Sequence, residues 1–88
     1  MSQIIYKYNL SIKEERSIPK DSKILKVDLQ HGNLCLWALT STDTREQCKI
    51  EIYYTGSTLK EGLEHEHLGT FLLQNGDFVV HVFKTIEL

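Results

Sequence analysis

The sequence predicts an all-β fold: a small antiparallel meander of six or seven strands, arranged as a curled sheet or as a two-layer, sandwich- or barrel-like stack. Three observations carry that reading. Residues 23–39 and 67–83 each resolve into two apolar-rich runs joined by a tight turn. Residues 34–39 are apolar without a break, so that strand needs cover on both faces and belongs in the middle of a sheet. Residues 78–83 divide into Phe78, Val80 and Val82 on one side and Val79, His81 and Phe83 on the other. Two doubly covered strands call for two packed layers or one curled sheet.

The elements follow in order. Residues 4–10 are rich in β-formers and place Tyr6, Tyr8 and Leu10 on one face, with Ile5, Lys7 and Asn9 on the other. Residues 16–18 make a short strand ended by Pro19, which cannot donate to a ladder, and Lys20-Asp21-Ser22 reads as a turn. Residues 24–29 alternate Leu25, Val27 and Leu29 against Lys26, Asp28 and Gln30, giving a strand with one wet side. Gln30-His31-Gly32-Asn33 joins it to residues 34–39, with Gly32 and Asn33 as the two residues that tolerate positive φ.

A long polar connection, residues 40–46, leads to residues 47–54. There Cys48, Ile50, Ile52 and Tyr54 alternate with Lys49, Glu51 and Tyr53 until Gly56 stops the strand. Residues 57–66 are expected to hold one helical turn, capped by Ser57 or Thr58 with Glu61 in its first turn. Residues 69–74 and 77–83 then flank Asn75-Gly76, which predicts a type I′ hairpin because both central residues of that turn need positive φ. The expected core is Leu25, Val27, Leu29, Leu34, Leu36, Trp37, Ile50, Ile52, Phe71, Leu73, Phe78, Val80 and Val82.

Composition bounds the function. Eighty-eight residues with one proline, five glycines and 25% charge describe one ordered domain, 1–88, and no low-complexity segment. No apolar run approaches the length of a bilayer span, and Met1-Ser2-Gln3-Ile4 lacks the basic start of a signal peptide, so a soluble cytoplasmic protein without membrane partners is expected. Cys35 and Cys48 are then expected to be free structural thiols. Residues 1–26 carry six Lys or Arg against three acids, a local +3, while the remainder carries four against nine, a local −5. An overall charge of −2 without interleaved surface aromatics argues against general nucleic-acid binding.

No nucleophile elbow, Gly-rich phosphate loop, CxxC or HExxH appears, so neither catalytic residues nor a cofactor are expected. His65 and His67 lie two apart and would share one face of an extended chain, which makes them the alternative metal pair. His81, inside an apolar strand, reads as a core or pocket histidine. For a binding function with a phosphate-bearing ligand, Lys7, Arg16 and Lys49 are the candidate cations, Tyr53 the candidate aromatic and His81 the candidate pocket residue.

The runs Ile18-Pro19-Lys20-Asp21-Ser22-Lys23-Ile24-Leu25, Leu34-Cys35-Leu36-Trp37-Ala38-Leu39, His67-Leu68-Gly69-Thr70-Phe71 and His81-Val82-Phe83, with the Ile5-Tyr6-Lys7-Tyr8 start, resemble an uncharacterised family of small phage and prophage proteins. The likeness covers nearly the whole chain. It departs in the long loops, where Ser57-Thr58-Leu59 stands after Thr55-Gly56 in place of the family's His-Pro, so no loop-histidine role transfers. The resemblance implies a viral or prophage origin and supplies no activity. The expectation is therefore a non-enzymatic accessory protein that binds and neutralises a host component, either a host protein or a signalling nucleotide of a defence system. A tyrosine-bearing edge strand adds the expectation of a homo-oligomer. The alternatives are a small hydrolase using metal or one of His31, His65, His67 and His81, and a minor virion or assembly protein.

Overall fold

The computed structural model describes residues 2–87. Seven strands are present among them: β1 (Gln3–Asn9), β2 (Arg16–Pro19), β3 (Lys23–Gln30), β4 (Asn33–Ser41), β5 (Gln47–Tyr54), β6 (Leu63–Leu73) and β7 (Phe78–Glu87). They make two antiparallel sheets, ordered β1-β4-β3 and β2-β5-β7-β6, and neither closes into a barrel. The β3–β4 and β6–β7 hairpins follow chain order, whereas β1–β4, β2–β5 and β5–β7 join strands that are not sequence neighbours. A strand in the middle of a sheet needs a hydrogen-bonding partner along each edge, and a hairpin supplies only one. β1 therefore completes β4, and β5 completes β7.

The core lies between the sheets. Leu34, Leu36 and Ala38 of β4 face Cys48 and Ile50 of β5, Val80 and Val82 of β7, and Ile18 of β2. Tyr8, Ile24, Val27, Ile52, Phe71 and Leu73 close its rim. Four residues expected inside are elsewhere. Leu25 falls where the β3–β4 register shifts between Ile24 and Lys26, and is exposed with Leu29 and Phe78. Trp37 is half-buried and, by alternation with Leu36 and Ala38, points to the outer side of its sheet. Ile18, Ala38 and Cys48 take the vacated places in the interior.

The turns also differ from expectation. Gln30 pairs with Asn33, so the two-residue turn is His31-Gly32, with φ of 51° and 79°. That pair of positive values is the type I′ signature, and it belongs to the first hairpin. The second hairpin closes on the Leu73–Phe78 pair, and three consecutive residues, Gln74, Asn75 and Gly76, hold φ of 51°, 57° and 91°. No helical turn forms in residues 57–66. β6 instead begins at Leu63 and pairs with the far end of β7, Leu63 opposite Glu87, because residues 63–67 gain a full ladder there. The register shift between His67 and Gly69 inserts Leu68 and exchanges the alternation of β6, so His65 and His67 before it and Thr70 after it share the outer face.

Candidate functional site

The outer side of the four-stranded sheet gathers most of the reactive side chains. Across β5, β7 and β6 the register sets Lys49, Thr85 and His65 in one row, Glu51, Phe83 and His67 in the next, and Tyr53, His81 and Thr70 in a third. These positions alternate with the buried Ile50, Val80 and Val82, so they point away from the core. Three aromatic rings pack there edge to face around Phe83: Tyr53 at 5.9 Å, His65 at 6.0 Å and, tilted, His67 at 5.3 Å.

Glu51 sits at the foot of this cluster, and its side chain is only 8% exposed. A carboxylate out of water needs compensating partners. Lys60 Nζ lies 2.9 Å from Oε2, Tyr53 donates to the same oxygen at 3.3 Å, and Thr85 donates to Oε1 at 3.1 Å. Lys60 also reaches Glu15 at 3.5 Å, and Glu15 pairs with Lys49 at 2.8 Å. The hydrogen bond from Lys49 holds the Glu15 carboxyl below the usual range, against a smaller opposing effect of burial. Hydrogen bonds to Glu15 and to Glu51 raise the Lys49 and Lys60 ammonium groups respectively, and burial raises the Tyr53 phenol. A groove of about 530 Å³ opens here, lined by Glu15, Lys49, Glu51, Lys60, Glu61 and Thr85 among others.

The histidines form a second run along the same face. His67 Nε2 is 2.9 Å from Thr70 Oγ1, Thr70 Oγ1 is 2.9 Å from His81 Nδ1, and His81 Nε2 is 2.8 Å from Thr55 Oγ1. One neutral assignment satisfies the run: His67 donates to Thr70, Thr70 to His81, His81 to Thr55, and Thr55 to the Val79 carbonyl at 3.5 Å. His65 Nε2 donates to the Lys60 carbonyl at 2.8 Å, and its buried Nδ1 has no hydrogen-bond partner among the described residues. His65 and His67 do share one face, as their spacing predicts. Among the described residues no group of three His, Cys, Asp or Glu is placed to hold a metal ion.

The outer side of the three-stranded sheet has a different chemistry. Trp37 stands between Lys7 and Lys26 in one cross-strand row, with Ile5, Leu39 and Lys23 in the next. The Lys7 ammonium lies 5.9 Å from the Trp37 ring centroid and is hydrogen-bonded to Gln30. Lys26 pairs with Asp28 at 3.5 Å, both well exposed. Cys35, on the same face, is buried beside Asn9.

The five candidate residues thus separate. Lys49, Tyr53 and His81 meet on the four-stranded face; Lys7 lies on the opposite side of the molecule. Arg16 stays at the β2 edge, its guanidinium 5.2 Å from the Tyr8 ring. Glu51, Lys60 and Glu15 were not singled out from the sequence. Glu51 was visible as the middle position of the polar stripe of residues 49–53, but nothing local announced that a loop cation would cover it. Trp37 was assigned to the core because its strand is apolar throughout; the structure leaves that strand's outer side without a second layer.

A family profile described as a domain of unknown function (DUF7352) matches residues 1–88. No curated protein and no solved structure matches the chain.

Proposed function

The chain belongs to the DUF7352 family, whose function is unknown, and from that premise we propose that it is a non-enzymatic accessory protein of phage type that acts in the host cytoplasm by binding an anionic, aromatic-bearing host component of the nucleotide class. The observation that carries the reading is the contrast between the two outer faces. Lys49 and Lys60 are each held by a glutamate at 2.8–2.9 Å and have little charge left for a ligand. Lys7 has no carboxylate partner among the described residues and lies against the one tryptophan of the chain. A cation beside an indole face suits a ligand that combines a base with a phosphate. The ligand contacts are accordingly Lys7, Trp37 and Lys23, with Lys26, Lys49, Tyr53, His81 and Arg16 committed to internal contacts.

Trp37 reports directly on this. Titration with cyclic and linear nucleotides should quench its fluorescence, and Lys7→Ala should weaken the effect. Unchanged emission at millimolar nucleotide would remove the nucleotide reading.

A second reading, a histidine-dependent hydrolase, has one observation in its favour. The Thr70 hydroxyl is held at 2.9 Å from both His67 Nε2 and His81 Nδ1, a nucleophile-and-base arrangement. Hydrolysis in a nuclease and phosphatase panel that disappears in Thr70→Val would establish it in place of the binding reading.

A further inference from the structure

We infer that β1 is a self-association edge, through which two copies of the chain join as an isologous antiparallel pair centred on Tyr6. The two sheets have four edge strands: β1, β3, β2 and β6. Three carry the devices that prevent strand addition. β2 is four residues long and ends in Pro19. β3 has a register shift between Ile24 and Lys26 and presents Lys23 and Lys26. β6 has a register shift between His67 and Gly69 and presents Glu64 and Glu66.

β1 has neither shift nor proline, and its one charge, Lys7, would stand opposite the apolar Ile5 of a second copy. Its seven residues pair with β4 in unbroken register from Gln3 to Asn9, and Ile4, Ile5 and Tyr6 are 42%, 62% and 43% exposed. Ile4 and Tyr6 lie on the inward-facing side of their sheet yet stay open to solvent, because the four-stranded sheet does not extend over them.

The strand is complementary to itself. With a two-fold axis at Tyr6, Ile5 stands opposite Lys7 of the second copy, Ile4 opposite its Tyr8, and Gln3 opposite its Asn9. No like charges face each other, Tyr6 meets its own counterpart, and residues of equal parity pair, so each face of the sheet continues across the junction. The product is a six-stranded sheet, β3-β4-β1 joined to its copy. Two Trp37 rows then lie three strand spacings apart, about 14 Å. A strand of this length spans only about 24 Å, so the interface is of the small class and the dimer forms in a concentration-dependent way.

Sedimentation equilibrium over a concentration series tests this, with Ile5→Lys and Ile5→Glu as the variants. Both change an exposed side chain, and circular dichroism checks that each keeps its fold. The wild type should dimerise. Ile5→Lys sets a cation opposite Lys7 twice and should weaken association by about tenfold. Ile5→Glu sets a carboxylate opposite Lys7 twice and should dimerise at least as well as wild type. A wild type that stays monomeric at the highest concentration overturns the inference. So does equal weakening in both variants, which places the contact elsewhere, and so does open-ended growth, the mark of head-to-tail pairing between β1 and another edge. Because the inference stands on β1 alone, Trp37 quenching measured on the wild type at concentrations where sedimentation shows a monomer tests ligand binding separately.

Discussion

Lys60 Nζ lies 2.9 Å from Glu51 Oε2 and draws the connection between β5 and β6 across a carboxylate that its strand would otherwise hold in water. The loop backbone is fastened at the same place, since the Lys60 carbonyl accepts from His65. One residue therefore closes the groove twice, by charge and by main chain.

Removing the cation should expose that dependence. Lys60→Met should destabilise the protein, and the loss should shrink in a Glu51→Gln background, because the amide no longer carries the charge that Lys60 offsets. Thr85 is 3% exposed and donates to the same carboxylate, so Thr85→Val should cost about 1–3 kcal/mol. Urea unfolding of the four variants measures all three quantities.

The same network sets the pH profile. Glu15 is held below the usual carboxylate range by Lys49, so its stabilisation is complete above the unfolded value and is lost as pH falls through the folded one. Lys49 and Lys60 are raised by their glutamates; their contribution is complete below the ordinary lysine value and is lost as pH climbs through the raised values. Burial raises Tyr8 and Tyr53 and adds to the alkaline side. Thermal melting should give a plateau through neutrality with a shallow limb on each side, shallow because the lysines are solvent-exposed. Glu15→Gln should flatten the acid limb and lower the alkaline one.

Core and rim should separate sharply. Leu36 is fully buried at the centre of the sandwich, and Leu36→Ala should cost about 2–5 kcal/mol. Leu72 is 62% exposed on β6, and Leu72→Ala should stay within about 0.5 kcal/mol of wild type. Equal losses at both positions would mean that the outer face is covered in solution.

Much of this division was readable from alternation alone. The stripes of residues 47–54 and 78–83 placed Ile50, Val80 and Val82 inside, because a half-buried strand writes its environment into every second residue. Leu25, Leu29 and Phe78 defeated the rule: a register shift displaced the first, and the other two lie where the opposing sheet does not reach. Neither cause has a local signature. His31 taking positive φ ahead of Asn33 has the same character, since cross-strand register decided the turn. In the candidate site the histidine face followed from a spacing of two, while the cover supplied by Lys60 to Glu51 depended on how a nine-residue gap in sequence folds back.

The thiols offer a simple check on the interior. Cys35 and Cys48 are free and buried, in different sheets, and burial pushes the Cys48 thiol up. Reaction with a disulfide reagent should be slow for the native protein and release two equivalents on unfolding. Fast labelling of one thiol in native buffer would show that its sheet face opens.

β7 runs between β5 and β6 in the middle of its sheet although it comes last of the seven strands. During synthesis, the β2–β5 pair and β6 emerge with no ladder to join them into one layer until residues 78–87 clear the ribosome. Ile50 and Cys48 lack their β7 neighbours Val80 and Val82 for that interval, so the yield in cells should depend more on chaperone supply than the size of the finished protein suggests.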